Sequence, residues 1–218
     1  FCAALINAQS MGFYSTQSLA DDARRHGVTI RRPDINASKA FATLEPGTGK
    51  ARNGPGEPPQ YWGVGGPVVR LGLNSVRTIG KEVAERIEAN GPYEDMADLS
   101  RRADLTTAHL EALATADAFA CFGLSRREAL WAAGAAAQEK SGRLPGTTTG
   151  LDAPTLPGMD PVEDLMADVW ATGLAPDAHP VQFVREHLGS FQVESLDVFG
   201  GEVMVSRAAD KVLVPAHH

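Results

Sequence analysis

Arg77-Thr78-Ile79-Gly80-Lys81 is the stretch of this chain whose residue types and spacing point most directly to chemistry. Apolar Leu73 and Val76 precede it and end one short helix; a second helix runs on from Lys81. Apolar residues at 76, 79, 83 and 87 recur at three- and four-residue intervals, so one face of the second helix is buried against the first. The turn stays exposed, with backbone N–H groups that the following helix cannot satisfy. Those donors and the positive end of the helix dipole suit a phosphate oxygen. This is a means of holding a nucleic-acid backbone without reading bases. A Gly between helices also serves as an ordinary turn residue, and the spacing alone does not separate the two roles. A phosphate-binding P-loop is excluded, because Ser75 stands where its first Gly belongs and Glu82 where its hydroxyl belongs.

Other reactive groupings are sparse. Cys2 and Cys121 are the only cysteines and form no C-x-x-C pair, which argues against a disulfide framework or a zinc site and for a reduced, cytoplasmic setting. Asp21 and Asp22 are adjacent in a helical run, where neighbours point about 100° apart, and read as a solvated face. Arg24, Arg25, Arg31 and Arg32 form the densest basic cluster, readable either as phosphate contacts or as a solvated helix end and turn. Asp34-Ile35-Asn36 reads as an Asx turn. Trp131 and Trp170 fall at helical apolar positions and are expected in the core. Trp62 beside Tyr61 reads as core or as an exposed stacking pair.

These groups need elements to carry them. Phe1–Ala8 and Ser15–His26 are helical in pattern, Val28–Ile30 reads as a short strand, and twelve of the 23 residues from 45 to 67 are Gly or Pro, which marks a loop. Tyr93, Met96 and Leu99 suggest a short connecting helix ending at Arg101 and Arg102. Leu105–Ala114 and Ser125–Gln138 form a second helical pair, the latter opened by the capping-box pattern Ser125 to Glu128. The turn between them, Ala116–Phe119, lacks Gly, so a tandem of hairpins is expected with the second degenerate. Residues 141–159 read as a linker. Asp160-Pro161 with Glu163 opens a helix to about Thr172, and His179-Pro180 precedes another to about Leu188. Two β-like runs, Glu202–Ser206 and Lys211–Val214, are too short to close a sheet alone.

The net charge of −7 is unevenly spread: residues 1–149 carry 17 Lys and Arg against 16 Asp and Glu, and residues 150–218 carry 3 against 11. A near-neutral hairpin region implies weak phosphate binding with shallow salt dependence. No apolar run approaches the length of a membrane span. A start at Phe1 without Met or signal pattern reads as the interior of a larger polypeptide, and His217-His218 as the beginning of a tag.

Four strings in order, FCAALINAQSMGFYS, DDARRHGVTIRRPDIN, VRLGLNSVRTIG and ADVWATGLAPDAHPVQF, resemble the α subunit of bacterial C-family DNA polymerase III, and residues 9–15 resemble its error-prone, damage-inducible branch. The resemblance covers about residues 1–190. It implies a mainly α fold with minor β. Residues 1–67 would end the fingers region, 68–140 would form a tandem helix-hairpin-helix domain, and 160–218 would be a helical connector towards an OB fold that is missing or only begun. It implies double-stranded primer-template DNA as partner, bound through Arg77, Thr78, Ile79, Gly80 and Lys81, with Thr78 standing where many such hairpins have Gly. Arg24, Arg25, Arg31 and Arg32 would contact DNA or nucleotide phosphates. Asp117 would repel phosphate and leave the second hairpin to packing. The parent polymerase would use Mg²⁺ held by palm carboxylates. That motif has no counterpart here, so this chain is expected to hold no cofactor and to be inactive alone. Docking of other translesion polymerase components, with little DNA binding, is the competing reading; no membrane partner is expected.

Overall fold

Side chains that accept the first free N–H groups set most helix starts. In a computed structural model describing residues 1–8, 14–49, 58–138, 153–178, 182–183, 193–199, 202–207 and 211–215, five helices begin this way. Ser15 caps α2 (Thr16–Arg25), Asp95 caps α4 (Met96–Ala103), Thr106 caps α5 (Thr107–Thr115), Ser125 caps α6 (Arg126–Ala136) and Asp160 caps α7 (Pro161–Thr172). Two do not: α1 (Cys2–Asn7) and α3 (Lys81–Asn90), the latter starting at Gly80. Strands are few and short, so the fold is mainly α, as expected. No described helix is long and apolar enough to cross a membrane.

The chain divides into two units, Phe1–Asp177 and Ala178–His218. In the first, β1 (Ile30–Arg31), β2 (Thr43–Glu45) and β3 (Val68–Arg70) form a sheet in the order β1-β3-β2, with β1 parallel and β2 antiparallel to β3. α1 and α2 pack on it through Ile6, Ala20, Ala23, Ile30, Val69 and Leu71. Glu45 receives Arg70 at 2.7 Å and Arg31 at 2.8 Å. Those bonds, Arg70's first, hold its carboxyl below the usual range. Their contribution is therefore present above the ordinary Glu value and is lost as pH falls through the lowered one. A second core lies under the hairpins, where Leu73, Val76, Ile79 and Ile87 meet Leu99, Leu110, Leu113, Phe119 and the alanine face of α6.

Several expectations are corrected. The first arm of the leading hairpin is a single 3₁₀ turn, Leu73–Ser75, rather than a helix: its first N–H groups bond to Lys39 and Ala40 carbonyls instead of to an upstream helical turn. β2, not expected from the sequence, runs up to Glu45, where the Gly/Pro loop begins. Trp131 and Trp170 are not core but 58% and 48% exposed, because the inward faces of α6 and α7 are filled by alanines and Leu165. Trp62 is half-exposed and stacked on His26. In the second unit β4 (Val193–Phe199), β5 (Glu202–Arg207) and β6 (Lys211–Pro215) form an antiparallel meander, so the tail is not purely a helical connector. The helix expected after His179-Pro180 falls mostly outside the described residues, as does the 141–152 part of the linker.

Asp168 on α7 is 3% exposed and shared by two guanidinium groups. Arg32 grips both its oxygens, at 2.9 and 2.7 Å, and Arg126, itself 5% exposed, donates to the same carboxylate. Removing one member of such a group strands the others in a poorly solvated place. Asp168→Ala is expected to lower stability by about 3 kcal/mol, whereas Asp177→Ala, which removes an exposed partner of Arg32, costs under about 1 kcal/mol; urea midpoints read both.

Thr78 has φ +69°, a left-handed backbone in which a β-branched side chain is strained. Thr78→Gly should raise unfolding stability by about 1 kcal/mol, visible as a melting point higher by roughly 2–4 °C.

Candidate nucleic-acid interface

The leading hairpin is built from close backbone approach. Gly72 abuts Phe41 and Ala42 so tightly that a Cβ there would lie 2.4 Å from the Phe41 carbonyl carbon. That contact lets Leu73 and Asn74 donate to Lys39 and Ala40. The Ala40 N–H in turn donates to the Glu88 carboxylate of α3 at 2.7 Å, fixing the far arm to the same segment.

Within the turn, the five residues singled out by sequence do different things. Ile79 is buried, and its N–H donates to the Val76 carbonyl at 3.0 Å, so its role is to anchor the turn. Arg77 donates its N–H to Ala171 at 2.7 Å and its Nε to Trp170 at 3.0 Å. Thr78, Gly80 and Lys81 are exposed, and their N–H groups meet no acceptor among the described residues. The N–H groups of Glu82 and Val83 in the first turn of α3 likewise meet no acceptor among the described residues. Among the described residues Lys81 pairs with Glu85 alone, at 3.8 Å, with 67% of its side chain exposed.

This start sets α3 apart: among the described helices of eight or more residues it alone has no side-chain cap. Its free donors sit at the positive end of the dipole, an arrangement suited to an anion. Glu82 is the opposing charge in that first turn.

The second turn shares the left-handed backbone, with Asp117 at φ +61°. Its donors are used internally, from Asp117 to Ala114 and from Ala118 to Leu113, both at 3.0 Å. Burial raises the Asp117 carboxyl above its usual value, against the pull of Arg126 at 3.9 Å. The following α6 is closed by a reciprocal box between Ser125 and Glu128. This hairpin packs and offers no free helix start.

The basic cluster does not converge into an open phosphate surface. Arg24 bonds to the Ala175 carbonyl at 2.9 Å and pairs with Asp21, Arg31 meets Glu45, and Arg32 meets Asp168 and Asp177. Arg25 is exposed and donates to the Asp21 carbonyl. Asp34 forms the expected Asx turn, accepting from Asn36 and Ala37. Among the described residues no three His, Cys, Asp or Glu side chains are grouped to hold a metal ion. Sequence reading missed Trp170 as a neighbour of the hairpin; 93 residues separate it from Arg77, and no local pattern links them.

Comparison with known proteins agrees with this geometry. The helix-hairpin-helix motif family matches residues 27–129, which take in the small sheet as well as the first hairpin. A protein of Mycolicibacterium paratuberculosis named error-prone DNA polymerase is 52% identical over 197 residues, covering 88% of this chain and 16% of its own length. Its namesake in Mycobacterium tuberculosis H37Rv is 50% identical over the same shares, and that of Nocardia farcinica is 48% identical over 98% of this chain and 18% of its own. Over most of its length the chain is therefore homologous to error-prone DNA polymerases, of whose length it spans about a sixth.

Proposed function

We propose that residues 73–87 bind the backbone of duplex primer-template DNA without reading its sequence, as one grip of an error-prone DNA polymerase. The observation that carries this is the uncapped start of α3, where free N–H groups of Gly80, Lys81 and Glu82 face solvent beside an exposed lysine. A phosphate oxygen supplies the acceptors that every other long helix obtains from its own side chain. The names of the relatives supply the kind of nucleic acid and the reaction served. The reaction itself, with its Mg²⁺, is assigned to parts of the polymerase outside this chain. Arg25 and Arg31 are both exposed, and Arg25, with no ion pair among the described residues, is the one offered to a further phosphate.

A second reading, docking of other translesion polymerase components, is favoured by one observation. α7 exposes Val162, Met166, Val169 and Trp170, an apolar stripe at helical spacing. It predicts capture of protein partners that persists after nuclease treatment and is lost in Met166→Glu.

Two variants test the DNA reading by fluorescence anisotropy on a labelled primer-template duplex. Lys81→Glu is expected to weaken binding about tenfold and to make the slope of log K against log[salt] shallower by about one. Unchanged binding would show that the hairpin is not the contact. Gly80→Asp meets no steric obstacle, since a Cβ there has nothing within 4 Å. It should cap α3 from within, raising stability by a few tenths of a kcal/mol while weakening DNA binding.

A further inference from the structure

We propose that Arg77 positions the phosphate-binding turn rather than ligating phosphate, by clamping the turn onto the C-terminal end of α7 with Trp170 as its platform. This rests on the reading of the hairpin as a DNA contact.

Three interactions converge on Arg77. Its N–H donates to Ala171 at 2.7 Å, its Nε donates to the Trp170 carbonyl at 3.0 Å, and its guanidinium lies 4.9 Å from the centre of the Trp170 ring. The two carbonyls belong to the last turn of α7, where the helix has no internal donors left and the dipole is negative. An arginine is the natural partner of such an end, and its planar group stacks on the adjacent indole. These contacts engage its backbone N–H, its Nε and the face of its guanidinium, so the residue braces the turn whether or not a phosphate is bound.

The turn has reason to need a clamp. Thr78 sits next to Arg77 in a left-handed conformation that its branched side chain disfavours, and such a conformation persists only when its surroundings over-determine it. On one side Ile79 is held by burial and its bond to Val76; on the other Arg77 is held by α7. The backing is firm: α7 is itself fixed through Asp168 to Arg32 and Arg126, and through Glu163 to Arg127 at 2.9 Å. The donors of Thr78 and Gly80 are thus held open by a helix that does not itself contact phosphate.

Binding of a labelled primer-template duplex to the full 218-residue chain separates a clamp from a ligand. Arg77→Met and Trp170→Ala should each weaken binding roughly fivefold, and the double variant should be no worse than either, because both break one unit. Arg77→Lys, which keeps the charge but not the planar fork, should not restore affinity. Hydrogen exchange at residues 77 and 79, whose N–H groups are the bonded ones in the turn, should quicken in both single variants. Both side chains are on the surface, and melting curves check that the fold is kept; Trp170→Phe, which retains a ring, should lose less. Trp170→Ala binding like the parent chain while Arg77→Lys restores binding would make Arg77 a phosphate ligand and overturn the proposal. Losses that multiply in the double variant would make the two residues independent contacts and would overturn it equally. Lys81→Glu keeps the two levels apart: if it has no effect the DNA reading falls, and if it weakens binding while Trp170→Ala does not, the clamp alone falls.

Discussion

A single buried carboxylate, Asp168, holds the first unit in its arrangement. Its two arginine partners come from the end of β1 and the start of α6, 136 and 42 residues away along the chain. None of the three charges is tolerable alone in that setting, so their mutual satisfaction requires the sheet region, the second hairpin and α7 to meet. The apolar cores follow the same connection. Ala171 of α7 belongs to the core beneath the hairpins, and Leu174 just beyond it belongs to the core on the sheet. α7 is therefore the seam between two hydrophobic clusters that otherwise have separate memberships.

The two hairpins show how similar backbones are put to different uses. Both turns pass through a left-handed residue, Thr78 in one and Asp117 in the other. The difference lies a few residues on: Gly80 leaves the next helix open, whereas Ser125 and Glu128 close theirs. On the proposed reading, the binding surface is made by omitting a cap rather than by adding a side chain. Strain at Thr78 and open donors at Gly80 both lower local stability, in keeping with sites that are supported by their surroundings rather than by themselves.

What sequence disclosed and what it hid divide along the range of the forces involved. Helix starts rest on contacts of three or four residues, so Ser125 with Glu128 and Asp160 with Glu163 placed α6 and α7 closely. The free turn at residues 77–81 was legible for the same reason. Helical spacing marked Trp131 and Trp170 as apolar but could not say which apolar face would turn inward, and small alanines took the interior. The clustered arginines were visible as a group, yet their acceptors at Glu45, Asp168, Asp177 and Ala175 are 14 to 151 residues distant. Residues 193–199 escaped notice because adjacent Val198 and Phe199 break the alternation that marks a strand.

Those same ion pairs alter the meaning of the charge distribution. Along the sequence the acidic residues gather after position 150, apart from the near-neutral hairpins. In the folded unit, Glu163, Asp164, Asp168 and Asp177 are brought against Arg127, Arg126 and Arg32. Phe1–Asp177 holds 17 basic and 22 acidic residues, a net −5, so no broad positive field surrounds the open turn. A duplex approaching it is not drawn in from a distance, and encounter should proceed at the unsteered rate of roughly 10⁵–10⁶ M⁻¹ s⁻¹. Capture by this hairpin would then depend on something else having already brought the DNA within a few ångströms, which suits an element that retains a duplex better than one that finds it.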